Sequence, residues 1–185
     1  MSIEIVDLIP EPLTQESFSP YGQVICKPQT PAKLTFAEVE SWTLPFETGS
    51  DTQLMLNRYH KGSELFSILE RHRAVTQCFL PLGGGSFIMV VAAPSKPESD
   101  QIPKPKDLRA FHVNGNNGIL LWQGTWHSIA RFPVGAPYID MGFLTDVNTQ
   151  REIEQYSEVG TLPELTDYVD LEKEFQNIMR LKAYD

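Results

Sequence analysis

Short strand-like segments run through the middle of this chain and leave room for little but a β-rich fold. Segments 54–59, 65–69, 75–81, 86–92, 109–113, 119–122, 126–132 and 138–144 alternate or run apolar, with Gly, Pro or Asn between them. Segments 3–8 and 23–26 precede them. Strands at such regular spacing predict a sandwich or barrel. Segments 54–59 and 65–69 read as a pair, and Gly83-Gly84-Gly85 reads as a tight hairpin joining 75–81 to 86–92. A phosphate cradle would need a helix start after those glycines, and Ser86-Phe-Ile-Met-Val reads as strand. Asn114-Gly115 and Asn116-Asn117-Gly118 are turn residues that tolerate positive φ. The Pro-, Lys- and Ser-rich stretch 94–107 predicts an exposed loop.

Helical signals are few. Thr35-x-x-Glu38 has the form of a capping box and predicts a short helix through about Trp42. Leu171, Phe175, Ile178 and Met179 recur at helical spacing and predict a C-terminal amphipathic helix, capped by Thr166 or Asp167. Its apolar stripe must pack on the barrel or on a partner chain. The expected organisation is a β domain over 1–150 with a C-terminal extension over 151–185.

With 41% apolar and 21% charged residues, the 185-residue chain is globular in composition and not disordered. Its longest apolar run, 87–93, ends at Pro94, far short of the ~20 residues a membrane helix needs. The opening Met-Ser-Ile-Glu-Ile lacks the order of a secretory signal, which points to the cytoplasm. Cys26 and Cys78 are expected to be buried free thiols in a reducing compartment. A net charge of −9 argues against non-specific nucleic-acid binding. A small anion can still bind where arginines override the global field.

Two blocks carry chemistry. Glu70-x-His72 is followed by Gln77 and Gly84 in the frame E-x-H-x4-Q-x6-G, and Gly124-Thr-Trp-His127 lies some fifty residues on. Residues two apart on a strand share a face, so Glu70 and His72 project together and His127, from a distant strand, can meet them. Two imidazoles and a carboxylate can hold a divalent ion with open positions, with Gln77 as a weaker donor. The bland readings are a solvated strand end flanked by Arg71 and Arg73, and a core His127 satisfied by backbone. Arg109 and Phe111 also share a face. An inward arginine there would need an anion to meet it, whereas Lys104, Lys106 and Asp107 just before it favour a surface. Arg58 is a second candidate for an anion. Gln77 offers both a donor and an acceptor to a urea-like group.

This spacing resembles the two motifs of a cupin barrel, H-x-H-x4-E-x6-G and a later His after G-x-x, with Glu and Gln standing in for His and Glu. The ordered blocks also resemble the ureidoglycolate lyase family. They are Leu13-Thr-Gln-Glu-Ser-Phe-Ser-Pro-Tyr-Gly22, Leu69-Glu-Arg-His72, Thr76-Gln-Cys-Phe-Leu-Pro81, Ile88-Met-Val-Val-Ala-Ala, Leu108-Arg-Ala-Phe111, Gly118 and Gly124-Thr-Trp-His127, spanning about 13 to 146. The resemblance implies a cupin-type double-stranded β-helix (jelly roll), a homodimer, and cleavage of ureidoglycolate to glyoxylate and urea in allantoin breakdown. It also implies a divalent metal, with nickel, zinc or manganese as candidates. Glu70, His72, Gln77, Arg109 and His127 are the implied site positions. Ser128 departs from a second His found in some relatives, and the last thirty-five or so residues lie outside the resemblance.

On that reading Glu70 or His127 is the base, and His72 is the acid or a shared ligand. Arg109, with Arg58 and beside Phe111, holds the substrate carboxylate, and Gln77 orients the ureido group. Other readings are a metal-dependent oxygenase or isomerase acting on a small organic acid, or a non-catalytic small-acid sensor.

Overall fold

The computed structural model describes residues 2–96 and 98–184. Two largely antiparallel sheets face one another. The first runs Thr52–His60, Tyr138–Asp146, Gln77–Pro81, Gly118–Leu121, with Gly22–Ile25 at its edge. The second runs Ile68–His72, Trp126–Ser128, Ser86–Ala92, Arg109–Val113. Thr166–Asp170 and the short Glu11–Pro12 flank this second sheet, and Phe132–Val134 continues along Ser86–Ala92. From Thr52–His60 onward the chain changes between the two main sheets from strand to strand, except that Arg109–Val113 stays beside Ser86–Ala92 and Phe132–Val134 stays in the sheet of Trp126–Ser128. That is jelly-roll order, the cupin-type architecture. Among the described residues no ladder closes the two layers into a continuous barrel.

Period-two alternation builds two cores from one strand. Phe87, Met89 and Val91 point between the sheets and pack with Phe79, Phe111, Ile119, Met141 and Phe143. Ile88, Val90 and Ala92 face the other way, into a second core with Leu69, Trp126, Leu171 and Met179. Burial on both faces is why 87–93 is an unbroken apolar run. Each large side chain so buried stabilises the fold by about 1.5–3 kcal/mol. A small sheet covers the second core, with Asn177–Leu181 between Glu4–Leu8, to which it is parallel, and Leu65–Phe66.

Several local expectations change. Segments 54–59 and 65–69 do not pair, since Thr52–His60 pairs only with Tyr138–Asp146, in the opposite sheet from Ile68–His72. Gly83–Gly85 does not close a hairpin either, because it carries the chain from one sheet to the other, with Gly83 and Gly84 at φ of 67° and 76°. That turn nests against the one at Gly115, where a Cβ would fall 2.0 Å from the Gly84 backbone. The expected helix over 35–42 is instead a hairpin, Leu34–Phe36 with Val39–Ser41, turning at Ala37 (φ 49°). Leu34, Phe36 and Val39 are exposed there, so no buried stripe favours a helix. Cys26 is exposed, and only Cys78 is buried.

The C-terminal helix is present but short, Leu171–Phe175, capped by Asp170 and ended by Gln176 in the left-handed region. Thr166 and Asp167 lie in a strand, and Ile178 and Met179 in another. A longer helix that the apolar pattern did not reveal, Val147–Val159, is capped by Asp146 and stopped at Gly160. Residues 151–185 thus add strands to two sheets. Among the described residues no helix is long and apolar enough to cross a membrane.

Candidate functional site

Strand register assembles the site. Glu70 lies opposite His127 on one side and Tyr168 on the other, and Thr166 lies opposite His72. Leu69 and Trp126 turn into the second core, so Glu70, His72 and His127 turn between the sheets. Gln77 arrives from the facing sheet, two residues before the core residue Phe79. Gly124 sets the approach to His127. Its φ is +77°, a Cβ there would strike the Ser95 carbonyl oxygen at 2.3 Å, and its N–H donates to the His72 carbonyl at 2.8 Å.

Glu70, His72 and His127 are buried, and one ligand atom from each lies within 4.8 Å of the others. The imidazole rings meet edge to face, centroids 5.2 Å apart. Glu70 Oε1 stands 3.7 Å from His127 Nε2 and 4.0 Å from His72 Nε2, too far for hydrogen bonds. Burial, reinforced by the positive charge of Arg131, pushes His72 down to about 3 and His127 well below its ordinary value. Both rings are therefore neutral near pH 7, and neither forms an ion pair with Glu70. Burial pushes the Glu70 carboxyl up to about 7, against the lowering effect of Arg131.

A hydrogen bond chooses the tautomer of His127. His127 Nδ1 donates to the Glu70 carbonyl at 2.8 Å, so its Nε2 carries the lone pair. His72 Nδ1 lies 3.0 Å from Thr166 Oγ1, which leaves its Nε2 free to face Glu70. Gln77 Oε1 is 3.0 Å from His127 Nε2. Between a neutral ring and an amide oxygen this is lone pair against lone pair. Either the amide turns its NH2 inward or a cation sits between them. Two imidazole lone pairs, a carboxylate oxygen and an amide oxygen thus converge, their orientation fixed from behind by Thr166 and the Glu70 backbone. This donor set fits a divalent ion, and the Glu70/His72/His127 group could hold one. The space beside the cluster, lined by His72, Val75, Gln77, Leu121, Trp122, Thr125 and His127, is a narrow crevice without room for a water molecule.

The two arginines singled out from sequence lie elsewhere. Arg109 is on the inner face and level with His127, but Val91 lies between them in the ladder, so two strand spacings of about 4.8 Å separate their backbones. Its guanidinium is half-exposed and doubly bonded to Glu11. Phe111 is buried against Phe18 and Tyr21 in the core between the sheets. Arg58 is on the outside, forked onto Asp140 and stacked on Tyr138.

Three residues at the site were missed. Thr166 and Tyr168 come from the strand read as a helix cap, although Thr-Asp-Tyr-Val-Asp alternates in polarity as an edge strand does. Burial and the Glu70 charge push the Tyr168 phenol up to about 12, which keeps it a hydrogen-bond donor. Arg131 is buried beside the cluster, and its only signal was a cation within a strand-like stretch.

Strand order and cluster together define a cupin-type jelly roll with a buried two-histidine, one-carboxylate centre. The family model for ureidoglycolate lyase matches residues 5–159. The ureidoglycolate lyase of Pseudomonas syringae pv. syringae (strain B728a) is 34% identical over 131 residues, 65% of this chain and 72% of that protein. That of Brucella anthropi is 30% identical over 133 residues, 68% and 75% of the two chains. The chain belongs to the ureidoglycolate lyase family. Among solved structures, RmlC from Streptococcus suis in complex with dTDP-D-xylose aligns at a TM-score of 0.40 and 10% identity, over 71% of this chain and 61% of that one.

Proposed function

We propose that this protein is a carbon–nitrogen lyase that splits ureidoglycolate into glyoxylate and urea. The observation that carries the reading is the buried Glu70–His72–His127 cluster in a chain whose residues 5–159 match the ureidoglycolate lyase family. The family match favours this reading over the oxygenase, isomerase and sensor readings.

The reaction moves one proton from oxygen to nitrogen. The substrate carbon bears a hydroxyl, a carboxylate and the ureido nitrogen. Loss of the hydroxyl proton makes the C=O bond of glyoxylate, the C–N bond electrons pass to nitrogen, and that nitrogen takes up a proton to leave as urea. Without a metal, Glu70 is suited to both transfers, because a carboxyl held near 7 is neither too weak a base nor too weak an acid at neutral pH. Beside a bound cation it would stay ionised and suited to take the hydroxyl proton. His72 and His127 are suited to present lone pairs at Nε2 and not to donate protons, since burial keeps them neutral. Gln77 orients the ureido group through its amide.

When bound, a divalent ion (nickel, zinc or manganese) would be held by His72, His127 and Glu70, with Gln77 as a weaker donor, and would acidify the substrate hydroxyl. Elemental analysis of the purified protein, with ion affinity read by calorimetry, tests the ligand set. His127→Ala should abolish stoichiometric binding, and undiminished binding by that variant would remove these residues as ligands. We further propose a homodimer in the cytoplasm. Leu54 and Leu56, each 72% exposed on the edge strand Thr52–His60, supply apolar surface for pairing, and two free thiols suit a reducing setting. Light scattering should give twice the chain mass, and a monomer mass would contradict the pairing.

A further inference from the structure

We infer that Arg131 anchors the carboxylate of the substrate, which enters through a groove beside it. The inference rests on the lyase reading for the identity of the acid, while the anion site itself rests on geometry.

Arg131 is 3% exposed, and among the described residues no carboxylate lies within ion-pair reach of it. It stands apart from the arginines already described. Arg58 meets Asp140, Arg71 and Arg73 share Asp167, and Arg109 meets Glu11. A buried cation without a counter-charge is costly, and a fold that retains one gains from an anion that visits. The guanidinium is held by its other edge. Nη1 donates to the Ser128 carbonyl and, at 2.9 Å, to the Ile129 carbonyl, while Nε is buried without any partner. Its plane lies over Phe79 at 4.6 Å and near Tyr59 at 5.6 Å. The free Nε edge is the side that takes a carboxylate.

Access is built in. An open groove of about 540 Å³, lined by Arg58, Tyr59, Phe66, Ile68, Ile129 and Arg131 among others, opens beside the edge strand Thr52–His60. That is room for a small organic acid. The positive charge of Arg131 acts on Glu70, His72 and His127, which ties the anion site to the cluster.

The test is calorimetric titration of the full chain with oxamate, an unreactive carboxylate of glyoxylate's length, and with urea, alongside steady-state kinetics. Arg131→Met should weaken oxamate binding by about tenfold to a hundredfold, as expected for loss of a charge-assisted fork, with urea binding unchanged. It should also raise KM for ureidoglycolate more than it lowers kcat. Arg131→Lys should recover part of the oxamate affinity. Thermal unfolding keeps the result readable, since methionine removes a buried charge and should not lower Tm. Should Arg131→Met still lower Tm, Arg131→Lys carries the test, and wild-type affinities for both oxamate and urea in a stable Lys variant that shows no KM change would overturn the proposal. Equal oxamate affinity in wild type and Arg131→Met, or a loss seen only in Arg109→Met, would also overturn it. If wild type binds oxamate through Arg131 yet releases no urea from ureidoglycolate, the lyase reading fails and the anion site stands.

Discussion

Thr166 Oγ1 lies 3.0 Å from His72 Nδ1, on a strand that pairs directly with the one carrying Glu70 and His72. The side chain that fixes a site imidazole therefore comes from beyond the residues matched to the family, which end at 159. Thr166→Val should leave a buried ring nitrogen unpartnered, costing about 1–3 kcal/mol in chemical denaturation. It should also lower metal affinity or turnover by about tenfold to a hundredfold. Thr166→Ser should restore both. Wild-type behaviour of the valine variant in both assays would make the contact incidental.

Much of the site was legible because strands report orientation in steps of two. That rule placed Glu70 with His72 on one face, and the Gly124-Thr-Trp-His127 block marked the strand that meets them. The tail was not legible. Leu171, Phe175, Ile178 and Met179 fit a helical stripe, yet Met179 and Leu181 fit a strand equally well, and a left-handed Gln176 decides between them. Val147–Val159 buries only Thr149, so it carries no apolar stripe to detect. Arg109 misled for a different reason. It shares a face with Phe111 as the period-two rule gives, but a partner ninety-eight residues earlier in the chain, Glu11, takes its fork.

Acid should loosen the link between the second sheet and the loop over it. Asp167 is joined to Arg71 and Arg73, and Arg71 also donates to the Lys96 and Ser99 carbonyls. Burial opposes the Asp167 charge, but the hydrogen bonds from Arg73 and Arg71 prevail and hold its carboxyl below the usual range. Because the folded value lies below the unfolded one, this stabilisation is complete above the ordinary carboxylate range and fades as pH falls through the depressed value. Asp167→Asn should therefore be less stable than wild type at pH 7, by a gap that holds to about pH 5 and closes toward pH 3. A gap independent of pH would assign the loss to packing alone.

The two thiols should differ in reactivity. Cys26 is exposed, whereas burial pushes the Cys78 thiol up to about 11. A chromogenic disulfide reagent at pH 8 should consume one thiol at once and the second only in denaturant. The same raised value makes the folded state lose stability as pH climbs from about 9, where an unfolded thiol ionises, toward 11. Two fast thiols would contradict the buried position of Cys78.

The account turns on proton transfer by Glu70 within a buried cluster, and product release measures that directly. Purified full-length protein given fresh ureidoglycolate should produce glyoxylate and urea in equal amounts, well above the spontaneous rate. Glu70→Gln should be slower by about a hundredfold or more, with an unchanged melting temperature. Release at the spontaneous rate by the wild type, or at the wild-type rate by Glu70→Gln, would contradict it.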